Sequence, residues 1–223
     1  MSHIIIIIII VVLFLVYYVK FRTLYSSRYI LTGNLEVKVR NLMIVAHPDD
    51  ELIFGGSQLL ATDGWLVVCV TNGSNESGNI YSINKATRRI QEFIKVMNFL
   101  NCMYEIWDYE DYGLNANWND TIATSIKNLL MSRNFDRIVT HSLYGEYGHP
   151  QHTKISNIVH NLRPNNLYVF GYVPPGPNDY LPMNPYAPQI FELCKIYKSQ
   201  TKIIKKYKAN IIYQYFVKAE FLQ

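Results

Sequence analysis

"NLMIVAHPDDELIFGGSQLLATDGWLVVCVT", Asn41 to Thr71, is the stretch whose reading decides the fold. "LMIVA" (Leu42–Ala46) is a continuous apolar run, the pattern of a strand buried on both faces. "ELIFGGSQLLATDG" (Glu51–Gly64) reads as a helix that closes at Gly64, and "WLVVCVT" (Trp65–Thr71) as a second strand. Strand, helix, strand within about thirty residues is a βαβ unit, so the two strands run parallel. The rhythm continues downstream. A helical stripe of Ile90, Phe93, Ile94, Met97 and Leu100 marks "NKATRRIQEFIKVMNFL". "MYEIWD" reads as a short third strand and "NDTIATSIKNLLMSR" as a helix capped by Asn119 or Asp120. "DRIVTH" (Asp136–His141) is a strand, "HTKISNIVHNL" a helix, and "LYVFGYV" (Leu167–Val173) a strand. The fold class is therefore α/β, a mostly parallel sheet with helices on both faces.

In such sheets ligands bind beyond the carboxyl ends of the strands. "HPDDE" (His47–Glu51) follows the first strand there, and "HSLYGEYGHPQH" (His141–His152) follows "DRIVTH". Four of the six histidines, His47, His141, His149 and His152, fall in these two segments. Imidazole and carboxylate from neighbouring strand ends are what a catalytic zinc site requires, with three protein ligands and an open position. Adjacent carboxylates repel, and a divalent cation removes the conflict, leaving one as ligand and its neighbour as base. The plainer alternative is that the carboxylates cap the following helix and that the two histidines are ordinary polar residues of a Gly-rich surface loop.

Composition bounds the rest. The chain has 223 residues, 49% of them hydrophobic, enough for one sizeable domain and an appendage. A net charge of +4 permits attraction to anionic lipid but is too small to imply nucleic acid. Three widely spaced cysteines, Cys69, Cys102 and Cys194, do not make a disulfide framework and fit a reducing compartment. "IIIIIIIVVLFLVYYV" (Ile4–Val19) carries no charge. As a helix rising ~1.5 Å per residue it spans roughly 24 Å, close to a bilayer core once flanking residues are added. A cleavable signal peptide would want basic residues before the run and a small-residue cleavage site after it, and a soluble core helix is rarely so uniformly apolar. The run reads as a transmembrane anchor, residues 1–22, followed by a polar connector, 23–40, and one domain, 41–223. Lys20, Arg22 and Arg28 follow the run and no Lys or Arg precedes it, which places the domain on the cytosolic side.

"AHPDDE" with "GHPQH" resembles the LmbE-like de-N-acetylase superfamily, and most closely its eukaryotic PIG-L branch, which acts on N-acetylglucosaminyl-phosphatidylinositol. The resemblance covers roughly Asn41 to the C-terminus. It implies a Rossmann-like fold and one Zn2+ ion. It also implies metal ligands His47, Asp50 and His152, Asp49 as general base, and His149 as oxyanion stabiliser or acid. Tyr147 would contact the developing tetrahedral centre. Arg89 in "TRRIQE" would grip substrate, with Glu92 orienting it, the alternative being an exposed i,i+3 ion pair. "YKSQ" (Tyr197–Gln200) and the basic, aromatic tail resemble the eukaryotic branch. The tail would lie on anionic headgroups or pack on the domain, and "DYEDYGLNANW" would line the sugar site or form a loop. One departure is Gln151, where bacterial members carry an aspartate that orients the first histidine of the motif; Glu146 is a candidate substitute. The resemblance implies removal of acetate from a glycolipid substrate at the endoplasmic reticulum membrane. A soluble N-acetylglucosaminide as substrate, or a catalytically silent metal- or sugar-binding module, are the other readings.

Overall fold

A computed structural model describes residues 10–14, 30–74, 80–109, 111, 116–174, 176, 178 and 181–220. Seven strands form one sheet: β1 (Leu31–Gly33), β2 (Asn41–Val45), β3 (Trp65–Thr71), β4 (Met103–Tyr109), β5 (Arg137–Thr140), β6 (Leu167–Phe170) and β7 (Phe216–Lys218). Their spatial order is β1-β4-β3-β2-β5-β6-β7. The five inner strands are parallel, and the short edge strands β1 and β7 pair antiparallel with β4 and β6. The expected mostly parallel α/β sheet is present. The two edge strands, three residues each, are too short to show as a sequence pattern.

Helices cover both faces because the central strands β2 and β3 are apolar and buried on both. On β2, Met43 and Val45 point into one core and Leu42 and Ile44 into the other, all fully buried. The first core also holds Val67 and Cys69 of β3, Phe93 and Met97 of α3 (Ile80–Phe99), and Ile190 of α7 (Ala187–Cys194). The second packs Ile122 and Ile126 of α4 (Ala116–Ser132) and Ile155 and Val159 of α6 (Pro150–Asn161). Pro150 begins α6, at the position where the missing N–H costs nothing. The basic tail is not one amphipathic helix. It folds as a 3-10 turn (Lys198–Gln200) and two short helices, α8 (Thr201–Lys206) and α9 (Lys208–Ile212). Ile204, Tyr207 and Ile211 sink into the first core while the lysines stay exposed.

The expected helix Glu51–Gly64 is broken into α1 (Asp50–Ile53) and α2 (Gly56–Ala61). A distant side chain occupies the break. Gln214 Nε2 donates to Leu52 O (2.7 Å) and Ile53 O (2.9 Å), and its Oε1 accepts from Ser57 N–H (2.8 Å). A Cβ at Gly56 would lie 2.9 Å from Ile190, so the close approach of α7 needs glycine there.

The predicted anchor lies outside the described residues except for Ile10–Phe14, which are helical and exposed. Among the described residues no helix is long and apolar enough to cross a membrane.

Candidate metal centre

Chain order from β2 runs outward through β3 to β4 on one side, while β5 and β6 lie on the other. The reversal falls between β2 and β5, so the loops after these two strands face each other across the switch-point crevice. His47–Glu51 come from one loop, and α5 (Gly145–Gly148) with the start of α6 from the other.

The first loop is held by the strands it leaves. Ala46 O accepts from Thr71 N–H (2.9 Å) and Thr71 Oγ1 (2.8 Å), and Ala46 N–H donates to His141 Nε2 (2.9 Å). His47, Asp49, Asp50 and Glu51 are all buried. Asp49 adopts φ 131°, ψ −26°, a conformation that costs a non-glycine residue on the order of 1–3 kcal/mol. The Asp49 carboxylate is not spent as a helix cap: Asp49 stands at the N-cap position with no side-chain capping bond.

Three ligand atoms converge. His47 Nδ1 lies 3.1 Å from Asp50 Oδ2, His152 Nε2 lies 3.2 Å from the same oxygen, and the two nitrogens are 3.1 Å apart. Donors of a tetrahedral zinc ion with bonds of ~2.0–2.1 Å stand about 3.3–3.4 Å apart, so this triangle fits such an ion with little adjustment. Without a cation, protons hold the triangle together. Burial opposes charge on His47, yet Asp111 and Asp50 push its pKa well up. Burial likewise opposes ionisation of Asp50, but His152 and His47 hold its carboxyl well below the usual range. A divalent cation would replace those protons.

The outward nitrogens are fixed as well. His152 Nδ1 donates to Glu146 Oε2 (2.6 Å), which leaves Nε2 free for a metal. His47 Nε2 donates to Gln151 Oε1 (2.6 Å) and faces Asp111 Oδ1 (3.1 Å), which leaves Nδ1 free. His141 lies within reach of Asp50 and His152. Its Nε2 is taken by Ala46 N–H and its Nδ1 donates to Glu146 (3.0 Å), so it orients rather than ligates. Glu146 also accepts Ser142 N–H (2.7 Å). Burial would raise its pKa, but His141 and His152 pull it down to about 2.

Gln151 and Glu146 therefore differ from expectation. Neither serves His149; Gln151 holds His47, and Glu146 holds His152 and His141. Among the described residues, the Nδ1 of His149 and the Nε2 of Gln151 are buried without a hydrogen-bond partner. Burial, with His47 and His152 nearby, lowers the His149 pKa to about 4, which keeps the ring neutral.

Asp49 and Arg89 face the same crevice. Arg89 donates to Asp49 Oδ1 (3.3 Å), Asp111 Oδ2 (3.3 Å), Pro48 O (2.9 Å) and Gly73 O (3.2 Å). Burial drives the Asp49 pKa up to about 7, with Arg89 pulling against it and Asp50 pushing with it. The exposed ion-pair alternative for "TRRIQE" fails, because Arg89 and Glu92 are both buried. Glu92 does not orient Arg89 either; it accepts from Ser199 N–H (3.0 Å) and Ser199 Oγ. Tyr147, partly exposed, stacks on Tyr207 at 4.5 Å, with Lys206 Nζ 5.0 Å from the Tyr207 ring. A pocket of about 530 Å³ opens here, and its wall includes Asp49, Asp50, Arg89, Tyr147, His149 and Tyr207.

Asp111 has no individual role assigned from the sequence; it enters there only within "DYEDYGLNANW", after β4 at the same sheet edge. Apart from Tyr109 and Asp111, the side chains of "DYEDYGLNANW" lie outside the described residues.

The sequence profile of the PIG-L family, described as GlcNAc-PI de-N-acetylase, matches residues 42–163. An uncharacterised protein of Acanthamoeba polyphaga mimivirus is 47% identical over 191 residues, covering 83% of this chain and 82% of its own. Among solved structures, the N,N'-diacetylchitobiose deacetylase of Pyrococcus horikoshii superposes with TM-score 0.61 at 14% identity, over 80% of this chain and 84% of its own. The 4-carboxy-2-hydroxymuconate hydratase of Pseudomonas putida superposes with TM-score 0.60 at 15% identity, over 83% and 99%. A deacetylase and a hydratase thus share the fold, so the fold alone does not choose the chemistry. The profile match, over more than half the chain, does: this chain belongs to the PIG-L family of de-N-acetylases.

Proposed function

We propose that the chain is a zinc-dependent de-N-acetylase of N-acetylglucosaminyl-phosphatidylinositol, releasing acetate and glucosaminyl-phosphatidylinositol in the assembly of glycosylphosphatidylinositol anchors. The observation that carries this reading is the triangle of His47 Nδ1, Asp50 Oδ2 and His152 Nε2, with edges of 3.1–3.2 Å, beside the Asp49 carboxylate. Two imidazoles and one carboxylate with an open position form a ligand set of catalytic zinc. When bound, the cation supplies Lewis-acid polarisation of the amide carbonyl and a water of lowered pKa. Asp49 takes the proton as water attacks the carbonyl carbon. Arg89 favours the ionised base and holds Asp49 and Asp111 in place beside the substrate. His149, neutral, donates an N–H to the carbonyl oxygen as negative charge gathers on it. When the C–N bond breaks, Asp49 passes its proton to the departing nitrogen, which leaves as the free amine. Tyr147, stacked on Tyr207, offers an apolar face to the sugar at the pocket wall.

The same reading makes Ile4–Val19 a single-pass tether in the endoplasmic reticulum membrane, with the catalytic domain in the cytosol. The supports are the uncharged run and the basic residues that follow it. Protease added to sealed microsomes then digests the domain; protection would overturn the topology. The reaction is tested by acetate release from N-acetylglucosaminyl-phosphatidylinositol and from soluble N-acetylglucosaminides, before and after chelation and with zinc restored. Activity confined to the soluble sugars would overturn the glycolipid reading. Activity indifferent to chelation would overturn the metal.

A further inference from the structure

As a base, Asp49 must present its carboxylate at one place, and its backbone is strained there, with φ 131° on a residue that is not glycine. Such a conformation persists only where the surroundings over-determine it. Some restraints are plain. Asp49 O accepts from Leu52 N–H (3.1 Å) and Ile53 N–H (3.0 Å), and Arg89 holds Oδ1. The remaining handle is the Asp49 peptide N–H, which donates to Glu51 Oε2 at 2.9 Å. The other oxygen of Glu51 accepts from Tyr197 Oη at 2.6 Å.

Glu51 and Tyr197 are both fully buried, and neither lines the pocket. Burying a carboxylate is costly unless it is hydrogen-bonded, and both oxygens of Glu51 are. A leucine would fill the space without that cost. What the carboxylate adds is one oxygen for the Asp49 N–H and a second by which it can be pinned. Tyr197 immediately precedes the turn Lys198–Gln200, whose Ser199 binds Glu92 on α3, the helix that carries Arg89. One C-terminal segment therefore braces both elements that restrain Asp49.

We propose that Glu51 and Tyr197 are a positioning pair for the general base: Glu51 holds the Asp49 peptide N–H, Tyr197 holds Glu51, and together they keep the backbone that aims the Asp49 carboxylate into the pocket. The proposal rests on Asp49 as the base of the reaction above.

The test uses the full chain, wild type and carrying Tyr197→Phe, Glu51→Gln or Glu51→Ala. Acetate release, zinc content and hydrogen exchange of the Asp49 amide are measured on each. Tyr197→Phe lowers kcat about 10- to 100-fold, the scale of a small misplacement of a reacting group, with KM and zinc content unchanged and faster Asp49 amide exchange. Glu51→Gln loses less than Glu51→Ala, because its amide oxygen still accepts from the Asp49 N–H and its NH2 still reaches Tyr197 Oη. Should Glu51→Ala fail to fold, Tyr197→Phe against Glu51→Gln decides. Wild-type kcat and wild-type Asp49 exchange in Tyr197→Phe would overturn the pair. So would equal losses in Glu51→Gln and Glu51→Ala, or a loss that tracks falling zinc content. If the wild type releases no acetate from any acetylated sugar, the reading of the reaction fails, and the Asp49 exchange pattern judges the pair alone.

Discussion

At Asp49 and Glu146 one can see how charge is divided in this crevice. Asp49 is left off the triangle of ligand atoms and keeps a basic carboxylate, whereas Glu146 is tied to two imidazoles and stays ionised. Asp49→Asn keeps the geometry and removes the proton acceptor. The expected outcome is full zinc content with activity down about 10²–10⁴-fold, read by metal analysis and acetate release on the same preparation. Glu146→Gln removes the charge behind His152 and His141. Zinc affinity is expected to fall about 10–100-fold, measured by competition with a chromophoric chelator. Glu146 also sets a pH dependence in the metal-free protein. Its pKa is depressed from the ordinary 4.5 to about 2, so its contribution to stability is complete above pH 4.5 and lost as pH falls through about 2. That contribution is on the order of 3 kcal/mol. Denaturant titrations of chelated protein between pH 6 and 2 should show a steeper loss in the wild type than in Glu146→Gln. At this scale the sequence exposed the residue types and their spacing, but not their partners. Gln151 stands beside His149 in the chain and nevertheless bonds His47, because α6 turns its side chain toward the other loop.

Elements carry the next decision. The residues from Glu51 to Gly64 have the composition of one helix, and the structure makes two, because Gln214 arrives from the C-terminus to satisfy both sides of the break. Gln214→Ala leaves Leu52 O, Ile53 O and Ser57 N–H without that partner. The expected cost is about 1–3 kcal/mol, read as a shift in the urea midpoint with an unchanged slope. A midpoint equal to wild type would show that the two helices hold the break unaided. Strand existence and order along the chain were legible because β2 and β3 are buried on both faces and read as unbroken apolar runs. The edge strands β1 and β7 were not, since three residues with one half-buried face leave no period to detect.

For the whole molecule, the proposed metal centre would link metal binding to folding. The three donors come from two segments far apart in the chain, so a bound cation would stabilise the native state alone. At a free zinc concentration about a hundredfold above its dissociation constant the gain is roughly 2.7 kcal/mol. Chelation should lower Tm and zinc should restore it, and the same shift should be nearly absent in His152→Ala. Sequence by itself determined the α/β class, the two loops that bear the chemistry and the membership that "AHPDDE" and "GHPQH" imply. These follow from local periodicity and from residue type, which the chain carries at every step. Only the tertiary structure decided which histidine nitrogens face one carboxylate oxygen, that Asp111 joins them, and that Glu51 is held by Tyr197, 146 positions away. Those are contacts between segments far apart in sequence, and their geometry is set by how the strands stack into one sheet.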